Sequence, residues 1–336
     1  MRVFAVAVAL TLPFCAQAQD HGPILSDTVE AHILPGFAAL SDATATLTQA
    51  AQTDCAPGSP QLRAAFHKAF DDWISVSHLR FGPTEVQDRA FALAFWPDTK
   101  GFTPKALTGL IATEDTAVRS PEAFAETSIA GRGFFALEQM LYDPRFSEQG
   151  SEAYRCALVQ AIAADIDGNA SAINTDWASY ATALTQPGGD SPYRSDDEAM
   201  QELYKALITG LEFTSDTRLG RPMGIFHRPR PSRAEARRSE RSLRHVELSL
   251  AALRELAIRL SADHPGIAAD LDDAFAKAIT RAQSLDDPSF ADVATPQGRL
   301  RVEALQQSIS DIRAIASAEL GPTLGISAGF NSLDGD

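Results

Sequence analysis

The sequence predicts an all-α protein made of two antiparallel helical bundles. Apolar residues recur at the 3-4 spacing of a helix face in several long stretches, and alanine is abundant. Runs of alternating β-branched residues, the pattern of strands, are absent. Long helices that are joined by short loops pack as antiparallel bundles.

Ten helices follow from this periodicity. They are expected over about 24–52, 60–79, 85–96, 104–111, 127–142, 150–184, 196–219, 233–262, 266–284 and 297–319. The longest follows an apolar stripe from Leu158 to Tyr180, and the last follows one from Val302 to Ala316. Ser232 and Glu235 form a capping box, which predicts a helix start at residue 233.

One turn-rich stretch divides the chain near its middle. The sequence from Gln186 to Pro192 contains two prolines and two glycines, which favour turns. We therefore expect an N-terminal bundle over 19–187 and a C-terminal bundle over 193–336.

The first 18 residues have the pattern of a secretory signal peptide. Arg2 precedes an apolar run that ends at Phe14, and Ala16-Gln17-Ala18 provides a small-x-small cleavage site. A lipid anchor would require acylation of Cys15, and the bulky residue before it argues against that. No later stretch reaches 18 uninterrupted apolar residues, so no membrane span is expected in the exported protein.

Removal of this leader leaves two cysteines, Cys55 in a loop and Cys156 near the start of a predicted helix. In an oxidising compartment, two thiols indicate one disulfide. Two separately buried thiols are the alternative.

The charge balance argues against nucleic-acid binding. The chain has 29 basic and 44 acidic residues and a formal net charge of −15, which repels phosphate backbones. A local exception comprises Arg228, Arg230, Arg233, Arg237, Arg238, Arg241 and Arg244. These arginines are expected either to pair with acidic residues of the other bundle or to form an anion pocket, and the two roles are compatible.

Candidate chemistry centres on one carboxylate in an apolar helix. Between Gly133 and Tyr142, Glu138 is the only acidic residue, and a half-buried carboxylate needs an arginine or a metal ion as its partner. The chain has no His-Glu-x-x-His, glycine-rich phosphate loop, Gly-x-Ser-x-Gly or Cys-x-x-Cys sequence. The familiar zinc-protease helix is therefore missing.

At this helix the chain resembles the imelysin family of exported bacterial proteins, also classified as M75 peptidases. The family carries a Gly-x-His-x-x-Glu motif, and the residues from Gly133 to Glu138 occupy its place. The similarity extends over about 24–336. Further similar stretches are Ile33-Leu34-Pro35, Phe81-Gly82-Pro83, Phe95-Trp96-Pro97-Asp98, Arg233 to Leu243, and Gly329 to Asp336.

The resemblance implies two helical bundles with a site at their interface and a periplasmic role linked to bacterial iron uptake. The chain departs from the motif because its histidine is replaced by Phe135. Phenylalanine neither ligates a metal nor moves a proton, which puts peptidase chemistry in doubt. Of the histidine and glutamate of the family motif, this chain retains only the glutamate, Glu138, which is a candidate metal ligand.

The resulting hypothesis is a non-enzymatic periplasmic protein that binds iron or an iron chelate between the bundles, alongside other iron-uptake envelope proteins. Iron is the one cofactor suggested. The expected site residues are Gly133, Phe135, Glu138, Trp73, Arg80, Trp96, Arg237 and Arg241. Two alternatives stay open: an envelope protein whose arginine-rich helix docks an acidic partner, and a metallopeptidase of M75 type.

Overall fold

The computed structural model describes residues 20–326, which are mainly helical and form no β-strand. The helices of this part are α1 (Gly22–Thr28), α2 (Leu34–Thr53), α3 (Pro60–Val76), α4 (Arg89–Leu93), α5 (Phe102–Thr113), α6 (Pro121–Ala125), α7 (Gly133–Tyr142), α8 (Glu152–Thr185), α9 (Asp196–Glu212), α10 (Gly220–Met223), α11 (Ser242–Leu260), α12 (Pro265–Gln283), α13 (Pro296–Ile315) and α14 (Gly321–Thr323). The all-α prediction is confirmed. The predicted signal peptide and the family-like stretch at 329–336 lie outside the described residues.

The first half of the chain packs around α8, a helix of 34 residues. Helix α2 lies against both α8 and α3, and Phe37 of α2 stacks on Trp177 of α8 with ring centroids 5.4 Å apart. Helices α1 and α2 are joined by a π-helical turn, Val29–Ile33. Pro35 has no N–H to donate to the preceding turn, which favours a wider turn at this point.

The second half packs α11 against α9 and α12, and α12 against α13. Helix α11 also packs against α3, so the two halves meet along this pair. The apolar stripe from Val302 to Ile312 is buried, as its spacing predicts. Within residues 20–326 no helix is both long enough and apolar enough to span a bilayer.

The predicted disulfide is confirmed. Cys55, in the loop after α2, is bonded to Cys156 in the first turns of α8, with 5.2 Å between their Cα atoms. The bond connects residues 101 positions apart and fixes the end of α2 to α8.

The predicted helix start at residue 233 is wrong. The helix begins at Ser242, and the segment before it is irregular, with positive φ angles at Ala236 and Glu240. Glu235 does not complete a capping box, because its carboxylate forms a buried ion pair with Arg218, 2.7 Å away. Of the seven arginines from Arg228 to Arg244, only Arg244 therefore lies in the α-helix of this segment, α11.

Candidate functional site

Helix α7 begins where only glycine fits. Gly133 has φ +71°, and a Cβ at this position would lie 2.2 Å from the carbonyl oxygen of Ala92 and 2.4 Å from that of Leu93. The preceding Arg132 is held by Asp165, at 2.6 Å and 3.0 Å. Gly133 thus lets α7 pack tightly against the end of α4, which places Phe135 inside the protein.

Glu138 lies three residues after Phe135 and is 2% exposed. One of its oxygens, Oε1, accepts hydrogen bonds from the backbone N–H of Ser239 at 2.9 Å and from its hydroxyl at 2.8 Å. Burial raises the pKa of the Glu138 carboxyl, and these two hydrogen bonds oppose the rise. Among the described residues, Ser239 is the hydrogen-bond partner of this carboxylate, and ligation of a metal ion by Glu138 stays a prediction.

A cavity of about 300 Å³ lies between α3, α7, α9 and α11, and we call it the main cavity. It is lined by Trp73, Ile74, Ser77, His78, Arg80, Ala94, Trp96, Phe135, Lys205, Thr209, Gly210, Phe213, Thr214, Arg218, Glu235, Ser249 and Leu253. Trp96 lies between Phe135 and Phe213, with ring centroids 6.1 Å and 5.9 Å away. The walls of the main cavity thus combine aromatic rings with cationic side chains.

The cations of the main cavity differ in how they are neutralised. Arg218 is buried against Glu235, whereas Arg80 forms a partly exposed ion pair with Glu85 at 2.5 Å. Lys205 is half-buried and forms no ion pair with another residue of the described chain. The Glu202 carboxylate interacts with the charge of Lys205 without forming a salt bridge, so the ammonium group is left to donate hydrogen bonds to a ligand.

The main cavity is also bordered by a histidine relay that leads to the surface. The Nε2 atoms of His78 and His32 are 3.0 Å apart, and His32 Nδ1 lies 3.4 Å from the Glu255 carboxylate. Burial lowers the pKa of His78 well below its usual value. Its Nδ1 atom has no hydrogen-bond partner among the described residues.

Another cavity, of about 180 Å³, adjoins the main cavity at Trp96 and Phe135, which line both spaces. We call it the arginine cavity, since Arg221, Arg233, Arg237 and Arg238 line it together with Asp98 and Glu138. The two cavities are therefore neighbours that share the Trp96 and Phe135 side chains.

The site residues expected from the sequence are only partly brought together. Trp73, Arg80, Trp96 and Phe135 line the main cavity, and Trp96, Phe135, Glu138 and Arg237 line the arginine cavity. Arg241 pairs instead with Asp71, and Gly133 serves the packing of α7. Within residues 20–326, no group of three or more His, Cys, Asp and Glu side chains is arranged to hold a metal ion.

Several site residues were not anticipated from the sequence. His78, Lys205, Phe213 and Arg218 line the main cavity, and Ser239 binds Glu138. The sequence did contain a signal for His78, which lies three residues before the family-like stretch that begins at Phe81. The others lie far away in sequence, and Phe213 and Arg218 come from a π-helical turn, Phe213–Leu219, that helical periodicity alone does not reveal.

Known proteins share this fold and sequence pattern. The chain is 25% identical over 332 residues to "Iron-regulated protein A" of Synechococcus elongatus, covering 89% of this chain and 86% of the relative. An imelysin-like protein from Psychrobacter arcticum 273-4 has the same fold, with a TM-score of 0.79 and 21% identity over 97% of this chain and all of that one.

A putative iron-regulated protein A precursor from Parabacteroides distasonis also superimposes, with a TM-score of 0.73 and 13% identity over 89% of this chain and 94% of that one. The family model described as Imelysin, Peptidase M75, matches residues 33–316. The chain therefore belongs to the imelysin family.

Proposed function

We propose that this imelysin-like protein is exported to the periplasm and binds an iron chelate in the main cavity, without catalysing a reaction. Export is supported by the signal-peptide pattern of residues 1–18, by the disulfide, and by the word "precursor" in the name of the Parabacteroides relative. The link to iron is supported by two relatives that are named iron-regulated.

We infer the chemical class of the ligand from one observation, the residues that line the main cavity. Trp73, Trp96 and Phe135 offer flat apolar surface, while Lys205 and Arg80 offer positive charge. A small organic anion with aromatic or other planar groups matches both features, because rings stack on rings and guanidinium or ammonium groups pair with anionic oxygens.

A chelate fits this cavity better than a bare iron ion. The oxygen atoms of a chelator already coordinate the metal, so the protein needs to supply only charge and aromatic surface. Glu138 accepts two hydrogen bonds from Ser239, which occupy the oxygen nearest to that segment. Direct ligation of iron by Glu138 stays a prediction from the sequence, and the loss of the motif histidine at Phe135 supports binding without peptidase chemistry.

Fluorescence titration tests this proposal, because two of the cavity walls are tryptophans. The mature protein is titrated with ferric 2,3-dihydroxybenzoate, ferric citrate and the iron-free chelators. We expect saturable quenching by at least one ferric complex, weakened about tenfold or more in Lys205→Gln combined with Arg80→Gln, because two charge-assisted contacts are lost.

Lys277→Gln is the matched control for this titration. Lys277 is exposed on α12 and lies outside both cavities, so its substitution changes the net charge without touching the site. Absence of saturable binding by every ferric complex would overturn the proposal. So would an equal loss of affinity in the control variant, since it would indicate general attraction by surface charge.

A further inference from the structure

The arginine cavity holds more positive charge than its own carboxylates neutralise. Asp98 accepts hydrogen bonds from the backbone N–H groups of Phe102 and Thr103, at 2.9 Å and 2.8 Å, and thereby caps α5. Glu138 is bound by Ser239. Neither carboxylate that lines the cavity therefore forms an ion pair with one of its arginines.

Within residues 20–326, one of the four arginines forms an ion pair with a carboxylate outside the cavity. Arg238 pairs with Asp143 at 2.7 Å. In the part of the chain that the structure describes, Arg221 and Arg233 form no ion pair, and Arg237 donates only to the backbone oxygen of Ser232, at 3.1 Å. Among the described residues, three guanidinium groups thus share this space without an ion pair, and the carboxylates of Glu138 and Asp143 offset the charge of Arg237 only in part.

The same crowding is visible in the electrostatics. Burial and the neighbouring Arg233 lower the pKa of Arg221, and burial together with Arg238 lowers that of Arg237. The guanidinium of Arg221 lies 5.7 Å from the centre of the Trp96 ring, which supports it from one side. Like charges that line one cavity repel each other, and a bound anion would relieve the repulsion.

We propose that the arginine cavity is a binding site for a small oxyanion, a phosphate or a polycarboxylate, held by Arg221, Arg233 and Arg237. Planar guanidinium groups bind two anionic oxygens at once, which suits both chemistries. The volume of about 180 Å³ restricts the occupant to a small ion or to one anionic group of a larger ligand. None of the three arginines lines the main cavity, so this site uses other charged residues than the proposed chelate site does.

Calorimetry on the full mature protein tests the site, with inorganic phosphate and citrate as probes at constant chloride concentration. We expect saturable binding of at least one probe. Combining Arg221→Gln with Arg233→Gln should weaken it about tenfold or more, since hydrogen bonds to charged groups are lost. Arg233→Lys, which keeps the charge but loses the planar fork, should give an intermediate affinity.

Arg228→Gln is the matched control. Arg228 lies in the same arginine-rich segment, is exposed and does not line the cavity, so its loss should change the affinity less than about twofold. Lys205→Gln should also leave anion binding unchanged, which separates this site from the main cavity. Circular dichroism verifies that each variant is folded.

Each outcome of the calorimetry decides the proposal. Binding of phosphate alone assigns a phosphate site, and binding of citrate alone assigns a carboxylate site, provided that the double variant loses it. The proposal is overturned if neither anion binds saturably to the unmodified protein. It is equally overturned if Arg228→Gln weakens binding as much as the double variant does.

Discussion

Ser239 donates two hydrogen bonds to the same oxygen of Glu138, one from its backbone N–H and one from its hydroxyl, across 101 residues of sequence. The irregular segment before α11 makes this contact available, because the N–H of Ser239 is not used in a helix. The contact fixes the arginine-bearing segment to α7 and so couples the two halves of the chain at the site.

Substitution of Ser239 by alanine should therefore destabilise the fold. Glu138 would keep the backbone N–H but lose the hydroxyl, and a buried carboxylate with a missing donor costs about 1–3 kcal/mol. Urea unfolding measures the change in the free energy of unfolding. Ser284→Ala is the control, because its hydroxyl is exposed and its loss should cost less than about 0.5 kcal/mol. Equal effects of the two substitutions would contradict a special role for Ser239.

Glu138 should make stability fall as the pH rises. Burial raises its pKa above the ordinary value of 4.5, so the folded state binds this proton more tightly than the unfolded chain does. The stabilisation is complete below about pH 4.5 and is lost as the pH increases towards the raised pKa. The stability of the unmodified protein minus that of Glu138→Gln should decrease along this window in unfolding experiments at several pH values. A stability difference that stays constant across this pH range would contradict a raised pKa of Glu138 in the folded state.

Glu235 should have the opposite pH dependence. Burial alone would raise its pKa, but the Arg218 guanidinium and His245 lower it to about 2. Its contribution to stability is then present above the unfolded pKa of 4.5 and is lost as the pH falls towards 2. Glu235→Gln should cost roughly 3–5 kcal/mol near neutral pH, because it leaves Arg218 buried without a counter-charge. The penalty should shrink in acid; a penalty that grows in acid would refute this assignment.

The sequence allowed the fold class to be predicted because apolar spacing is a local property. The stripe from Val302 to Ala316 needs only its own residues to specify which face is buried. The same locality explains the error at residue 233. Ser232 and Glu235 have the spacing of a capping box, but Glu235 gains more from a buried pair with Arg218, 17 residues earlier. Local spacing contains no information about that partner.

Only part of the candidate site could be predicted from the sequence. Trp96 and Phe135 could be identified because they lie in stretches that resemble a known family. Ser239 and Lys205 could not, since a serine and a lysine acquire a role only through the side chains that the fold places beside them. That Trp96 and Phe135 line both cavities likewise depends on how the fold packs their rings, at 6.1 Å between centroids.

Loss of the disulfide should destabilise the protein without changing its fold. Cys55 and Cys156 close a loop of about a hundred residues, and removal of such a bond from an exported protein costs about 2–5 kcal/mol. Urea unfolding of the Cys55→Ser, Cys156→Ser variant should show this loss. The control is a reductant, which should destabilise the unmodified protein by a similar amount and leave the variant unaffected. An unchanged midpoint after complete reduction would contradict the prediction.

The histidine relay should fix the tautomer of His78. A hydrogen bond from His32 holds the pKa of Glu255 at about 2, so this carboxylate is ionised and can only accept a hydrogen bond, which His32 donates from Nδ1–H. When both rings are neutral, His32 Nε2 is then bare and accepts from His78 Nε2–H, which leaves a lone pair on His78 Nδ1 beside the main cavity. Side-chain ¹⁵N NMR at about pH 8 should show a proton on Nε2 of His78, and Glu255→Gln should weaken this preference. A proton on Nδ1 of His78 in the unmodified protein would contradict this prediction, because Nε2 of His78 would then accept the hydrogen bond from His32.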